Sequence, residues 1–268
     1  MKLSFSKTGT ARKLLSTAAV AVAFTALWQA CNSGTTTGGD TAQITIQPSS
    51  QNLSAGSPLT LSVTVTGGAN LKYKWVHTFN WEGDTRNDTL DDTLSTFTVS
   101  AAPFDSGSYK CVITHSGGTL VSSSATITVT ASASIPFALT SKGIDEVRVT
   151  CGQCHNDPPY GSPGAVPTLV HSDFLIASKQ RIIRLLFLGG GDSGTAFLNP
   201  IHVNGKTYEG SNMPAVGANN DYSDSTIAGI LTYVRAMFNG ATDIVTPAEV
   251  RVQRDSLRAH GHSDLPAN

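Results

Sequence analysis

The chain has 268 residues, 40% apolar and 14% charged, with a formal net charge of −1 at pH 7. That length and apolar content suffice for compact cores and for two domains. Residues 1–30 carry four basic and no acidic side chains, and the remainder carries 14 basic and 19 acidic with no basic patch, which excludes nucleic acid as an expected partner.

The N-terminus reads as an export signal over residues 1–30. A basic stretch ending at Lys13 precedes an apolar run from Leu14 to Leu27, too short to span a bilayer comfortably. Gln29-Ala30-Cys31 resembles the cleavage site of bacterial lipoproteins, with Cys31 as the lipidated residue and Trp28 where that family has leucine. Polar residues 31–41 then serve as a flexible tether. This places the protein on the periplasmic or cell-surface side of a bacterial membrane, held by lipid. The competing reading is ordinary secretion, with Cys31 discarded or free.

Residues 42–130 alternate short Val/Thr/Ile/Leu runs with Ser, Gly and Asn turns. Strands are predicted at Gln43–Gln47, Leu59–Thr66, Leu71–His77, Leu94–Val99, Ser108–His115 and Thr119–Thr130, the pattern of a β-sandwich. Asp105-Ser106-Gly107-Ser108-Tyr109-Lys110-Cys111 and Lys74-Trp75 resemble the tyrosine corner and core tryptophan of immunoglobulin-like domains. The resemblance implies that Tyr109 bonds back to the corner backbone and that Trp75 packs between the sheets. Its second cysteine position is Val63, so no inter-sheet disulfide forms and Cys111 is expected to be a buried, inert thiol.

Small residues and a proline mark a linker over residues 131–140. Beyond it stands Cys151-Gly152-Gln153-Cys154-His155, the spacing by which two thiols attach one c-type haem while the adjacent imidazole supplies an iron ligand. Periodicity becomes helical: residues 178–188 start at the N-cap Ser178 and end at Gly189-Gly190-Gly191, and residues 223–238 place Ile227, Ile230, Leu231, Val234 and Phe238 on one stripe. Thr246-Pro247-Ala248-Glu249 is a capping box opening a last helix to about residue 259.

A second axial ligand is sought among three methionines. Met1 leaves with the signal and Met237 lies within a helix, whereas Met213 sits in Gly210-Ser211-Asn212-Met213-Pro214, a loop stiffened by proline. Met213 is the expected distal ligand. His171, His202, His260 and His262 are its rivals or simple surface residues, and Tyr208 and Arg184 are candidate partners of haem propionates. The cysteine pair also admits a thiol redox reading or half of a zinc site, although the βαβ pattern and second ligand pair those readings need are missing from the sequence.

Several segments together resemble the class I cytochrome c family over residues 141–268, in the type found beside or fused to periplasmic dehydrogenases. They are Gly143, Val147 and Cys151; Pro167-Thr168-Leu169; Asn199 to Tyr208, in which Val203-Asn204-Gly205-Lys206 is a ready type I′ hairpin turn; Met213-Pro214; Leu231 to Arg235; and Val245 to Val250. The resemblance implies an all-α domain, a close helix crossing at Gly143, and the Pro167 carbonyl as acceptor for the axial histidine's Nδ1 proton. The fold class expected for the whole is therefore an all-β immunoglobulin-like sandwich followed by an all-α cytochrome c domain. Cys151, Cys154, His155, Pro167 and Met213 would bind the haem, with His155 and Met213 on the metal.

The expected function is single-electron transfer between a periplasmic donor and a respiratory acceptor by a membrane-tethered carrier held through Cys31, with a periplasmic dehydrogenase or membrane oxidoreductase as redox partner. The alternative is a binding or assembly lipoprotein whose sandwich recruits a partner complex, the haem being its redox relay. A haem enzyme or gas sensor requires Met213 to be absent from the iron. No carboxylate pair, nucleophile–base arrangement or nucleotide motif points to a separate catalytic centre, and the glycine run at 189–191 lacks the Lys-Ser/Thr of a phosphate loop.

Overall fold

A computed structural model describes residues 41–90, 92–136, 143–190, 200–208, 213–219 and 222–262. The export signal, Cys31 and most of the tether fall outside the described residues, which lie within one compact unit.

Alternation builds the sandwich. In β10 (Ala125–Thr130) every second residue, Ala125, Ile127 and Val129, is buried, and in β8 (Gly107–His115) the buried set is Tyr109, Cys111 and Ile113. These strands join β2 (Gln51–Ser54), β5 (Lys72–Trp81) and β6 (Asp84–Thr89) in the order β2-β10-β8-β5-β6, with β9 (Gly118–Val121) on the far half of β8. Opposite them, β3 (Pro58–Ser62) pairs β7 (Thr96–Ser100), and β4 (Thr64–Gly67) pairs β1 (Ala42–Ile46). Trp75 is fully buried in the core and donates Nε1–H to the Leu94 carbonyl at 3.0 Å. The Tyr109 hydroxyl donates to the Asp105 carbonyl at 3.1 Å, closing the tyrosine corner over the 3-10 turn Pro103–Asp105.

Two strands were not expected. β2 is short, and β6, with the sequence DTRNDT, is exposed along nearly its whole length, so neither carries apolar alternation. β5 also runs four residues past the expected end at His77. It turns through Glu82 and Gly83, both at positive φ, as a two-residue hairpin that sets Trp81 against Asp84.

The second half begins with helix at residues 143–146, which widens to a π turn over Val147–Cys151 and resumes as α1 (Gly152–His155). A Cβ on Gly143 would lie 2.4 Å from the Gly229 carbonyl oxygen, so this entry helix rides directly on a later one. There follow α2 (Asp173–Ala177), α3 (Lys179–Leu188), the hairpin of β11 (Ile201–Val203) and β12 (Lys206–Tyr208), α4 (Val216–Asn219), α5 (Asp224–Asn239) and α6 (Pro247–Ala259). Ser178, Ser223 and Thr246 each cap the next helix, and Thr246 and Glu249 form the reciprocal box. α5 is buried nearly all round, including Thr232 and Arg235, where one apolar stripe was expected. It is central because other elements cover its remaining faces: Thr232 bonds Val245, and Arg235 bonds the Leu175 carbonyl and Asp243.

The expectation of an all-α class I cytochrome c domain over residues 141–268 is corrected here. Helices are mixed with a two-stranded antiparallel sheet that pairs Ile201 with Tyr208 and Val203 with Lys206. Asn204 and Gly205 at positive φ make the turn, and Ile201, Val203 and Tyr208 bury their side chains beneath it.

The two halves share a core. Phe79 and Phe104 of the sandwich belong to the same apolar cluster as Val147, Phe174, Leu186 and Phe238. Phe104 packs edge-on against Phe238 at 5.3 Å and Tyr160 at 5.7 Å, the offset geometry aromatic rings prefer.

Candidate functional site

The π turn and α1 carry the cysteine pair. Cys151 is half-buried, Cys154 is exposed, and His155 is 8% exposed; both cysteines are unpaired. All three line an apolar cavity of about 320 Å³, at the low end of the roughly 300–1,000 Å³ typical of small-molecule and cofactor sites. Ile182, Leu185 and Leu186 of α3, Ile230, Leu231 and Val234 of α5, and Ile201 and Val203 of β11 form its walls, and Pro167 and Met213 also face it. The hairpin that departs from an all-α fold thus supplies one wall.

His155 Nδ1 lies 2.7 Å from the Pro167 carbonyl oxygen. A carbonyl only accepts, so Nδ1 carries the proton and Nε2 holds the lone pair. Burial lowers the pKa of His155 and the Pro167 bond opposes it, and together they present a neutral, oriented imidazole. Burial pushes the Cys151 thiol up to about 11, with Glu146 and Cys154 adding to the rise. That is the reverse of the lowered value a thiol redox pair relies on. No group of three or more His, Cys, Asp or Glu able to hold a metal ion occurs among the described residues, so the half zinc site finds no second half there.

Met213 is held by its backbone. Gly190 N–H donates to the Met213 carbonyl at 2.9 Å and Met213 N–H donates to the Gly190 carbonyl at 2.7 Å. The glycines that end α3 therefore pin the residue against the cavity, a pairing the sequence did not signal. Residues 210–212 of its expected loop lie outside the described residues.

None of the four rival histidines, His262 included, lines this cavity. His202 is exposed and bonds Thr207 across the hairpin, His260 bonds the Ser256 carbonyl, and His171 bonds Asp105 of the sandwich. Arg184 bonds Gln253 on α6, and Tyr208 is buried in the core. Met237 packs beside the same core, as its place in a helix suggested.

The donor set lining the cavity, two thiols, one imidazole whose Nδ1 is engaged by Pro167 and one thioether amid apolar walls, is of the kind a covalently attached haem would use.

Residues 43–115 match the model of an immunoglobulin domain. Comparison with curated proteins gives no match. Among solved structures, the chain is similar to Sidekick-1 immunoglobulin domains 1–4 at 21% identity, covering 33% of this chain and 22% of that one with a TM-score of 0.26. It is similar to the N-terminal eight immunoglobulin domains of the Down Syndrome Cell Adhesion Molecule at 25% identity, covering 35% and 15% with a TM-score of 0.30. A titin I-band fragment, I67–I69, matches at 25% identity over 33% of this chain and 32% of that one, with a TM-score of 0.26. This chain therefore spans about a fifth of the Sidekick-1 fragment. The first half is an immunoglobulin-like sandwich, a module type used for adhesion and binding and common on cell surfaces. The family match falls on the sandwich, and the mixed helices and two-stranded sheet after it overturn the class I cytochrome c assignment. No helix among the described residues is long and apolar enough to cross a membrane.

Proposed function

We propose that this chain carries one covalently attached haem and passes single electrons between a periplasmic donor and a respiratory acceptor. In this reading a lipid on Cys31 holds it at a bacterial membrane, and the sandwich serves as its binding module. The observation that supports the reading best is the short bond from His155 to Pro167, beside two unpaired cysteines and Met213 on one apolar cavity.

Cys151 and Cys154 would hold the group by thioether bonds, with His155 and Met213 as iron ligands. When bound, haem supplies a one-electron couple. The chain's residues do the rest. The Pro167 carbonyl keeps the Nδ1 proton of His155 and fixes the ring, which raises its basicity as a ligand. Ile182, Leu186, Ile230 and Leu231 exclude water and keep the local dielectric low. His155 and Met213 would both hold the iron and leave no position for a substrate, so in this reading the chain is a carrier and not an enzyme.

The test is expression in a periplasm equipped for haem attachment, followed by acid–acetone extraction and a pyridine haemochrome spectrum. A c-type spectrum that survives extraction is expected, and it should disappear in C151A/C154A. Haem that extracts freely, or none, overturns the reading. Met213→Ala is expected to open the reduced protein to carbon monoxide; an unchanged spectrum would remove Met213 from the iron.

The immunoglobulin match favours a second reading, in which the sandwich recruits a partner complex and the haem is its relay. Variants on the exposed face of the sandwich that abolish complex association, with electron transfer to a soluble partner intact, would select it.

A further inference from the structure

The sandwich reaches across to the segment that carries His155 at several points. The tip of the β5–β6 hairpin supplies two. Trp81 donates Nε1–H to Asp157 Oδ1 at 2.8 Å, two residues after His155. Glu82 pairs with both ends of the Arg148 guanidinium, at 2.5 Å to Nε and 2.7 Å to Nη2, three residues before Cys151. The tyrosine corner supplies the third: Asp105, 2% exposed, accepts from His171 Nε2 at 2.8 Å while its other oxygen accepts the Ala102 amide. Between these polar contacts Phe104 lies against Tyr160.

The contacts therefore fall on both sides of the motif. Arg148 precedes Cys151, Asp157 and Tyr160 follow His155, and His171 follows Pro167. The loop they enclose is secured internally by the bonds Gly161 N–H to His155 carbonyl and Leu169 N–H to Pro159 carbonyl. It contains both ends of the His155–Pro167 bond. A loop of this length is soft unless its ends and middle are fixed, and small displacements at a ligand histidine weaken what its first contacts can do.

We propose that the immunoglobulin-like sandwich is a clamp for the His155 loop, with Trp81, Glu82 and Asp105 as positioning residues that act through Asp157, Arg148 and His171. The sandwich is then part of the site's frame as well as a module for outside partners. The clamp itself needs no haem; its consequence for an iron ligand rests on the function proposed above.

The experiment uses the full chain without haem and follows backbone amide exchange together with the NMR signal of the His155 Nδ1 proton. Asp105→Asn removes one hydrogen bond with little change in volume, and Trp81→Phe removes one while keeping an aromatic ring beside Phe104; Glu82→Gln weakens the Arg148 pair with little change in volume should either fail to fold. Expected are exchange at Gly161 and Leu169 faster by about tenfold or more, and loss of the Nδ1 proton signal, with α6 amides unchanged. Unaltered exchange in the loop overturns the clamp, and so does an equal rise in α6, which would mark general destabilisation. A chain that takes up no haem yet loosens locally in these variants would sink the proposed function and leave the clamp standing.

Discussion

Arg254 Nε lies 2.9 Å from Asp224 Oδ1, and both side chains are 2% exposed. The pair ties α6 to the first turn of α5. Arg254 also donates to the Tyr222 carbonyl at 2.6 Å and stacks its guanidinium 4.6 Å from the centre of the Phe187 ring, so its planar charge is used on three sides. Removing Arg254 takes from buried Asp224 the buried cationic partner of this pair and leaves the mostly exposed Arg251 at its other oxygen. Arg254→Ala is expected to lower unfolding free energy by about 3–5 kcal/mol, measured by urea denaturation. Arg251, also paired with Asp224 but 62% exposed, gives the contrast: Arg251→Ala should change stability by about 1 kcal/mol or less.

Gly189 ends α3 at φ +72°, and a Cβ there would lie 2.5 Å from the Met213 carbonyl oxygen. Gly164 has nearly the same φ, +76°, with open space around it. Both alanine variants bear backbone strain of about 1–3 kcal/mol, but only Gly189→Ala must also push the Met213 segment aside. The larger fall in melting temperature is therefore expected for Gly189→Ala, with faster exchange of the Met213 amide. Equal effects from the two variants would show that the close approach does not hold Met213.

Features set by neighbours in sequence were legible before the structure. Thr246 and Glu249 cap their own helix, Asn204-Gly205 makes its own turn, and the spacing of Cys151, Cys154 and His155 states its chemistry directly. The pairing of Met213 with Gly190 was not, because both residues are ordinary in their own segments and only the fold brings them together. Trp81 and Asp157 are 76 positions apart, and β6, which carries the turn to that contact, has no apolar face to reveal it. The all-α expectation failed for a related reason. Asn204-Gly205 signals a hairpin, but nothing local says that β11 will wall the cavity.

Cys111 stands where a disulfide partner would be expected, with Val63 at the opposite position, and is wholly buried. Burial pushes its thiol up to about 11, so almost none is thiolate at neutral pH. Iodoacetamide labelling read by mass spectrometry should leave the Cys111 peptide unmodified in the native protein and modify it in urea. Labelling of Cys111 under native conditions would mean that the sandwich opens far more readily than its core packing implies.

His77 is 2% exposed, stacked between Tyr109 at 4.3 Å and Phe79 at 4.7 Å, with its Nε2 buried and without a hydrogen-bond partner. Burial lowers its pKa from 6.5 to about 4; Asp105 and Asp88 resist the fall and His171 adds to it. The folded state therefore keeps His77 neutral where an unfolded chain would protonate it. Above pH 6.5 both states are neutral and stability is undiminished. As pH falls from 6.5 towards 4 the unfolded state gains the proton first, so stability is lost across that window. Between pH 7 and pH 5 the loss from this one group is about 2 kcal/mol. His77→Phe keeps the stacking and removes the titrating nitrogen, so its urea midpoint should fall less than the wild type's between those two pH values. Parallel pH profiles for the two proteins would mean that His77 takes up its proton over the same pH range in the folded and unfolded states.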